Sequence, residues 1–531
     1  MKHCFYLILL FVGFLKGYSN EMKVSGIFTD HMVLQRDVPV PVWGWAEPGE
    51  KITVTFLDQT VEGVTDAKGR WVVRLAPLNL SEEPRELKIK GKAPTSECVF
   101  SDVLVGDVWL LAGQSNMGWA LHESQGGKEA AIKANYPWLR YFNSGQNPED
   151  TPRVDFDPQY RSAWSLCSPQ SAEKMSAVGF YFAENLHLTQ KIPIGLVQTA
   201  MGGTYGECWI SREAMESDPQ LKYYLEQYEE ALKKYPVEKE RWETEKKEYE
   251  KTFEKAALEK KPKPPKSEFL TNGPMGPTHQ RRPNGYYNGR VSPVQPYAIR
   301  GMIWYQGEGD SEAPRVGRYQ KLLTTLASTW RKNWEVGDFP ILIVQLPKFV
   351  YDDPWHSWPL LREAQFKASL EIPNAGIVCL IDEGGESIHP LNKLPVGERL
   401  ARLAKGMVYG EKIETTGPIY KSLEIKGDKV VVKFDHIEEG LQSKAPSIQG
   451  FTLCGEDKVF WPAQAEIINK ECVQLSSEKV PKPTAVRYAW GPAPESSLLN
   501  SSLVPAFPFR TDDFEVGHYF DLAEFQKKKA K

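Results

Sequence analysis

Clustered metal ligands are missing from this 531-residue chain. It holds nine histidines and seven cysteines. The six cysteines beyond Cys4 (Cys98, Cys167, Cys208, Cys379, Cys454 and Cys472) are scattered, with no CxxC pair and no zinc-like spacing. That argues against a structural zinc centre or a dithiol redox motif, and no metal site is expected. Long apolar runs are missing too: beyond Leu15 no stretch approaches the eighteen or so residues of a membrane span, and none is expected. Neither sign of charge dominates. Lys and Arg number 65 against 69 Asp and Glu, a formal charge of −4 that gives no reason to expect a nucleic-acid partner.

What is present is enough apolar and aromatic residue, 41% and 11%, to bury large cores in several domains. At the start, Lys2 and His3 precede twelve apolar or small residues, Cys4 to Leu15, followed by the polar Lys16 to Asn20. This reads as a secretory signal over residues 1–20. Cys4 stands at the beginning of the apolar run rather than after it, so a lipoprotein signal does not fit. A soluble exported protein, periplasmic or extracellular, is expected. Losing Lys2 and Lys16 takes the formal charge from −4 to −6. Export permits disulfides; Cys454 and Cys472 fall in one expected domain, but their spacing does not demand a bond.

Texture divides the rest. Residues 21–102 carry short alternating runs (VPVPVWGWA, KITVTFLD, RWVVRLA, ELKIKG) broken by EPGE, DAKG and SEEP, the pattern of a small antiparallel β-sandwich. Residues 103–409 change to unbroken apolar runs, VWLLA, IGLVQTA, GMIWYQ, ILIVQL and AGIVCLI, as expected of buried parallel strands in an α/β domain. A Lys- and Glu-dense segment, 212–283, interrupts that domain and reads as a solvated helical hairpin ended by the prolines at 262–265. Alternation returns in a second β domain, 410–522, and a basic tail, 523–531, closes the chain.

Ligands in open α/β sheets bind beyond the carboxyl ends of the strands, so the residues there carry the functional argument. VWLLA runs into Gly113, Gln114, Ser115 and Asn116; the second run into Met201, Gly202, Gly203 and Thr204; the third into Gln306, Gly307 and Glu308; the last into Asp382, with Glu386 and His389 close behind. A serine needs an imidazole to take its proton, an acid to hold that imidazole, and donors for the developing oxyanion. Ser115, His389 and an acid supply the first three, while Ser115 N–H, Gly203 N–H and the Gln306 amide are the oxyanion candidates. An acid stands three residues before a histidine at Glu184/His187, Asp353/His356, Glu386/His389 and Glu515/His518. Of these histidines, His389 alone follows a hydrophobic strand, which favours it over His356. Glu308 serves either in catalysis or as a structural carboxylate. GQSNMG could also be only a tight turn.

The stretches FTDHMVLQRDVPVPVWGWAEPGE, GDVWLLAGQSNM, IGLVQTAMGGTYGECW, YNGRVSPVQPYAIRGMIWYQGEGD, IHP, RYAW and PFRTDDF together resemble the sialate O-acetylesterases, a branch of the SGNH hydrolase superfamily. The resemblance implies an SGNH, flavodoxin-like parallel-sheet hydrolase domain flanked by β-sandwich-like regions. It also implies Ser115 as nucleophile, His389 as base, and Gly203 and Gln306 in the oxyanion blocks. A carbohydrate-ester substrate with no metal or organic cofactor follows from it as well. The superfamily's aspartate three residues before histidine is here Glu386, and the position two before is Ser387, so the acid is Glu386, Asp382 or absent. Asn116, Glu308, Asn288 and Arg290 are the candidate substrate-binding residues. A sialic acid carboxylate would call for a cation, with Arg281, Arg282 and Arg290 available. An acetyl-xylan or other polysaccharide deacetylase, and a glycan-binding protein without activity, are the competing readings.

Overall fold

The computed structural model describes residues 22–514 apart from 94–95, 161, 313, 352 and 354–356. The expected signal 1–20, the tail 523–531, His356 and His518 lie outside the described residues.

All five apolar runs form strands of one sheet. Its order is Ser165–Cys167, Tyr136–Asn143, Ile194–Gln198, Glu97–Gly113, Gly301–Tyr305, Ile341–Val344 and Ala375–Val378, parallel except at the first, edge strand. Strands apolar on both faces need cover on both. Four helices supply it, packed as two pairs: Ala177–Gln190 with Leu394–Met407, and Tyr319–Trp334 with Ser357–Glu371. Tyr136–Asn143 escapes a sequence reading because YPWLRYFN mixes proline, arginine and aromatics with no period. Chain connections diverge between Glu97–Gly113 and Gly301–Tyr305, which makes the crevice at their carboxyl ends the topological switch point.

The boundary expected between residues 102 and 103 falls inside the 17-residue strand Glu97–Gly113. The first part of this strand pairs with Ser81–Lys90 and, in parallel, with Val33–Gln35; its second part is the centre of the parallel sheet. Asp102, at φ 54°, marks a register break between the two parts, and Arg140 of Tyr136–Asn143 holds its carboxylate. The amino-terminal β region therefore shares a strand with the hydrolase sheet. Within it, Lys51–Phe56 and Arg70–Leu75 alternate as expected, turning Ile52, Val54 and Phe56, and Trp71, Val73 and Leu75, inward.

The charged insertion departs from the expected hairpin. Pro219–Leu258 is a single 40-residue helix that continues through Pro236. The return is irregular chain with one short helix, Glu268–Asn272. Tyr228, Tyr235, Trp242 and Tyr249, seven residues apart, form a stripe that seats the return. Tyr228 Oη donates to Gly276 O, Tyr235 packs on Gly276, Trp242 Nε1 donates to Leu270 O, and Tyr249 Oη donates to Pro264 O. A stripe this narrow needs no second helix, and prolines at 262, 264 and 265 would break one.

After residue 410 two four-stranded antiparallel sheets follow, one containing Ile419–Lys426 and Lys429–Asp435, the other Phe451–Cys454 and Ala485–Tyr488. The second docks on the helix Ser357–Glu371, where Arg362 donates to Gly491 O and Pro492 O and Arg510 pairs with Glu363 through two bonds. Cys454 and Cys472 are both free. Among the described residues no helix is long and apolar enough to cross a membrane.

At the amino end of the parallel segment Asp107 is fully buried and takes hydrogen bonds from Gln35, Arg36, Arg300 and Tyr409 at 2.8–3.0 Å. Burial alone would raise its pKa; Arg300 and Arg36 outweigh that and hold it below the ordinary value. Asp107→Ala leaves Arg36 and Arg300 with only the half-exposed Asp37 as a shared anion, and is expected to lower the unfolding free energy by about 3 kcal/mol. Urea unfolding of the two proteins at pH 7 measures it, and a loss under about 1 kcal/mol would show that the cluster contributes little.

Candidate active site

Glu97–Gly113 ends at a point where no side chain fits. Gly113 has φ 130°, and a Cβ there would lie 2.1 Å from the Tyr305 carbonyl oxygen. Gln114 N–H donates to that oxygen at 3.0 Å, and Met201 N–H donates to Gly113 O at 3.0 Å. The chain is thus tied to both neighbouring strands as it leaves the sheet. It enters the one-turn helix Ser115–Gly118, closed by Met117 and Gly118 N–H groups donating to Gln114 O. Ser115 stands half-buried at the start of this turn.

The glycine pair lies beside it. A Cβ on Gly202 would be 3.3 Å from the Ser115 Cβ, and Gly203 takes φ 70°, which favours glycine. Both glycines are exposed. Among the described residues the N–H groups of Ser115 and Gly203 have no acceptor. His389 arrives from the loop after Ala375–Val378, with Nε2 at 2.8 Å from Ser115 Oγ. Trp119 stacks on the imidazole, ring centres 4.8 Å apart and planes at 26°.

The expected acid is not on the imidazole. Glu386 is exposed, and among the described residues no carboxylate bonds His389. Asp382 is bound at 2.7 Å through both oxygens by Arg399 of the helix Leu394–Met407. Burial raises its pKa, but those bonds and the guanidinium charge prevail and hold it below the ordinary value. The loop is shaped instead by Ser387, whose Oγ accepts from the His389 N–H at 3.1 Å. Ser115 and His389 form a hydrogen-bonded pair.

Three further candidates are placed differently from their expected roles. Gln306 is fully buried and directs Nε2 to Asp310 Oδ2 at 2.6 Å, because that buried carboxylate must be satisfied; Asp310 also accepts from Gly206 N–H at 2.8 Å. Its amide therefore braces the glycine loop rather than facing Ser115. Arg290 is buried, with Nε on Gln146 O and Nη1 on Thr199 O and Ala200 O, so it fixes the backbone leading to the glycines. Asn288, also buried, donates to Glu149 O at 3.1 Å.

Asn116 and Glu308 lie in the site, and they bring a residue that the sequence reading missed. Asn116 Nδ2 donates to Glu308 Oε1 and, at 3.0 Å, to Ile388 O; Lys393 Nζ donates to Asn116 Oδ1 at 2.5 Å. One amide next to the serine thus holds the residue next to the histidine. Lys393 is wholly buried, and burial depresses its pKa to about 8 despite the opposing pull of Glu308; burial raises that of Glu308. Lysine is seldom buried, so only its place four residues after His389 could have suggested it.

The family model for carbohydrate esterases, sialic acid-specific acetylesterases, matches residues 105–256 and 283–402, more than half of the chain. A sialate O-acetylesterase from Rattus norvegicus is 27% identical over 547 residues, covering 95% of this chain and 96% of that protein. The Homo sapiens sialate O-acetylesterase is 25% identical over 553 residues, 94% and 95% of the two chains. A carbohydrate acetylesterase from Xanthomonas citri matches in structure, with a TM-score of 0.77 and 31% identity over 93% of this chain and 100% of its own. The chain belongs to the sialic acid-specific acetylesterase family of carbohydrate esterases, and it is a carboxylic-ester hydrolase.

Burial and then the charge of Lys393 lower the pKa of His389 below the ordinary 6.5. A base must be neutral to accept a proton, so a depressed pKa extends activity toward acid. The acid limb of kcat/KM is expected to have its midpoint below 6.5, and Lys393→Met should move it upward by removing the cation. A midpoint at or above 6.5, or one unmoved by the substitution, contradicts this. Glu386→Gln, with no partner to lose among the described residues, is expected to change kcat by no more than about twofold. A fall of tenfold in stopped assays would place Glu386 in the reaction.

Proposed function

We propose that the protein is an exported serine esterase that removes O-acetyl groups from sialic acids, built on an SGNH-type hydrolase domain. The observation that carries the mechanism is the 2.8 Å approach of His389 Nε2 to Ser115 Oγ at the switch point of the sheet. In this reading Nε2 takes the hydroxyl proton as Ser115 Oγ attacks the acetyl carbonyl carbon. Negative charge gathers on the carbonyl oxygen, next to the N–H groups of Ser115 and Gly203. The imidazolium then returns its proton to the departing sugar oxygen, leaving acetyl-Ser115. Water, deprotonated by His389, releases acetate and restores the hydroxyl.

With no carboxylate on the imidazole among the described residues, its orientation rests on other contacts: the Trp119 stack, the Ser387 bond to its backbone, and the Asn116 clamp on Ile388. Lys393 disfavours the imidazolium in the free enzyme. An anionic substrate in the site offsets that charge, which suits an acidic sugar better than a neutral one. The family description and the mammalian relatives support the same substrate class.

Ser115→Ala removes the nucleophile and almost no volume. It is expected to lower acetate release from O-acetylated sialic acid by roughly 10⁴-fold or more and to abolish labelling by a fluorophosphonate, with an unchanged melting profile. Near wild-type hydrolysis by the variant rules out the serine mechanism. Faster wild-type release from acetylated xylo-oligosaccharides than from O-acetylated sialic acid, at equal acetyl concentration, would keep the mechanism and refute the substrate.

A further inference from the structure

Three arginines stand within ten residues of one another on the segment that returns from the insertion, and the structure spends them differently. Arg282 gives Nε to Asp150, Nη1 to His279 O and Nη2 to Pro148 O. Arg290 is committed to the backbone of residues 146, 199 and 200. Arg281 is not used up. Its Nη1 meets Tyr205 Oη at 3.1 Å and Glu268 Oε1 at 3.0 Å, while Nε is buried with no partner and Nη2 has no acceptor among the described residues.

Its position is the second observation. A Cβ on Gly203 would lie 3.5 Å from Arg281 Nη2, just as one on Gly202 would lie 3.3 Å from Ser115 Cβ. The two exposed glycines therefore form a bare strip with the serine at one end and the guanidinium at the other. Tyr205 fixes that guanidinium, with its ring centre 5.1 Å from Cζ and its hydroxyl on Nη1, so little side-chain freedom remains to be lost on binding. The carboxylate that Arg281 now holds belongs to Glu268, whose side chain is 77% exposed. An ion pair so open to water is weak, and an incoming carboxylate can replace it.

We propose that Arg281 is the anchor for the carboxylate of the acidic sugar, and that Glu268 occupies that position until substrate arrives. The assignment rests on the sialate reading above. Nη1, once Glu268 leaves it, and Nη2 beside it offer the parallel pair of donors that a carboxylate accepts. It also gives the insertion a part in specificity, since its return segment carries both Arg281 and Glu268 to the rim of the site.

The test compares O-acetylated sialic acid with its methyl ester, in which the carboxylate charge is masked. Inhibition of 4-nitrophenyl acetate hydrolysis by free sialic acid is measured alongside. The wild type is expected to prefer the free acid, and Arg281→Ala to collapse that preference by about 10- to 100-fold, chiefly through KM, and to raise the Ki of sialic acid similarly. Arg281→Lys, which keeps the charge without the paired donors, should fall between. Glu268→Gln should act in the opposite sense, tightening inhibition about two- to fivefold. An unchanged acid-to-ester ratio and Ki in Arg281→Ala, or weaker inhibition in Glu268→Gln, overturns the anchor. A wild type that fails to cleave O-acetylated sialic acid, while sialic acid still inhibits through Arg281, overturns the sialate reading and leaves the anchor standing.

Discussion

The site depends on the contact between Gly113 and the backbone of Tyr305. Two parallel strands approach there until a Cβ would overlap a carbonyl oxygen, and the same oxygen takes the next N–H of the incoming chain. The strand cannot continue straight, and Ser115 is delivered two residues later in a fixed position. Because Glu97–Gly113 is also the strand shared with the amino-terminal β region, and Asp107 clamps it to Arg36 and Arg300, the register that places the serine is set along its whole length. A shift of one residue would carry Ser115 away from both glycines and turn every buried side chain of the strand to its opposite face.

Electrostatics take over where covalent order stops. His389 comes 274 residues after the serine, and its approach is secured by a buried set of polar groups in place of a carboxylate on its ring. Asn116 is the pivot of this set: it receives Lys393, donates to Glu308, and reaches Ile388 on the histidine loop. A buried lysine and glutamate each shift toward neutrality, and the intervening amide bonds both, through Lys393 Nζ and Glu308 Oε1. Burial and then the charge of Lys393 lower the proton affinity of His389, and among the described residues no carboxylate bonds its ring to raise it.

The charged insertion shows how little apolar surface is needed to order a long excursion. Its helix is mostly solvated, yet four aromatic side chains at seven-residue spacing fasten the returning chain. Lys263 over the Phe253 ring and Arg241 over the Phe269 ring extend the seam with cation–π contacts. Without this fastening the return would not bring Arg281 to Gly203.

Much of this was legible in the order of residues. Unbroken apolar runs mark strands buried on both faces, and small or polar residues directly after them mark a ligand edge, so the parallel sheet, Ser115, the glycine pair and His389 follow from local pattern and the rule for such sheets. The heptad of aromatics was present to be read, but it is masked by surrounding lysine and glutamate. What the sequence could not decide is how each polar group spends its hydrogen bonds. Glu386 has the spacing of a triad acid yet points to solvent, Gln306 follows a strand yet turns to Asp310, and Arg281 and Arg290 look alike in the chain though one is open and the other is enclosed by carbonyls. Patterns of burial are properties of neighbours in sequence, since they arise from the repeat of helix and strand. Hydrogen-bond partners here are separated by as many as 302 residues, and only the folded chain brings them within 3 Å.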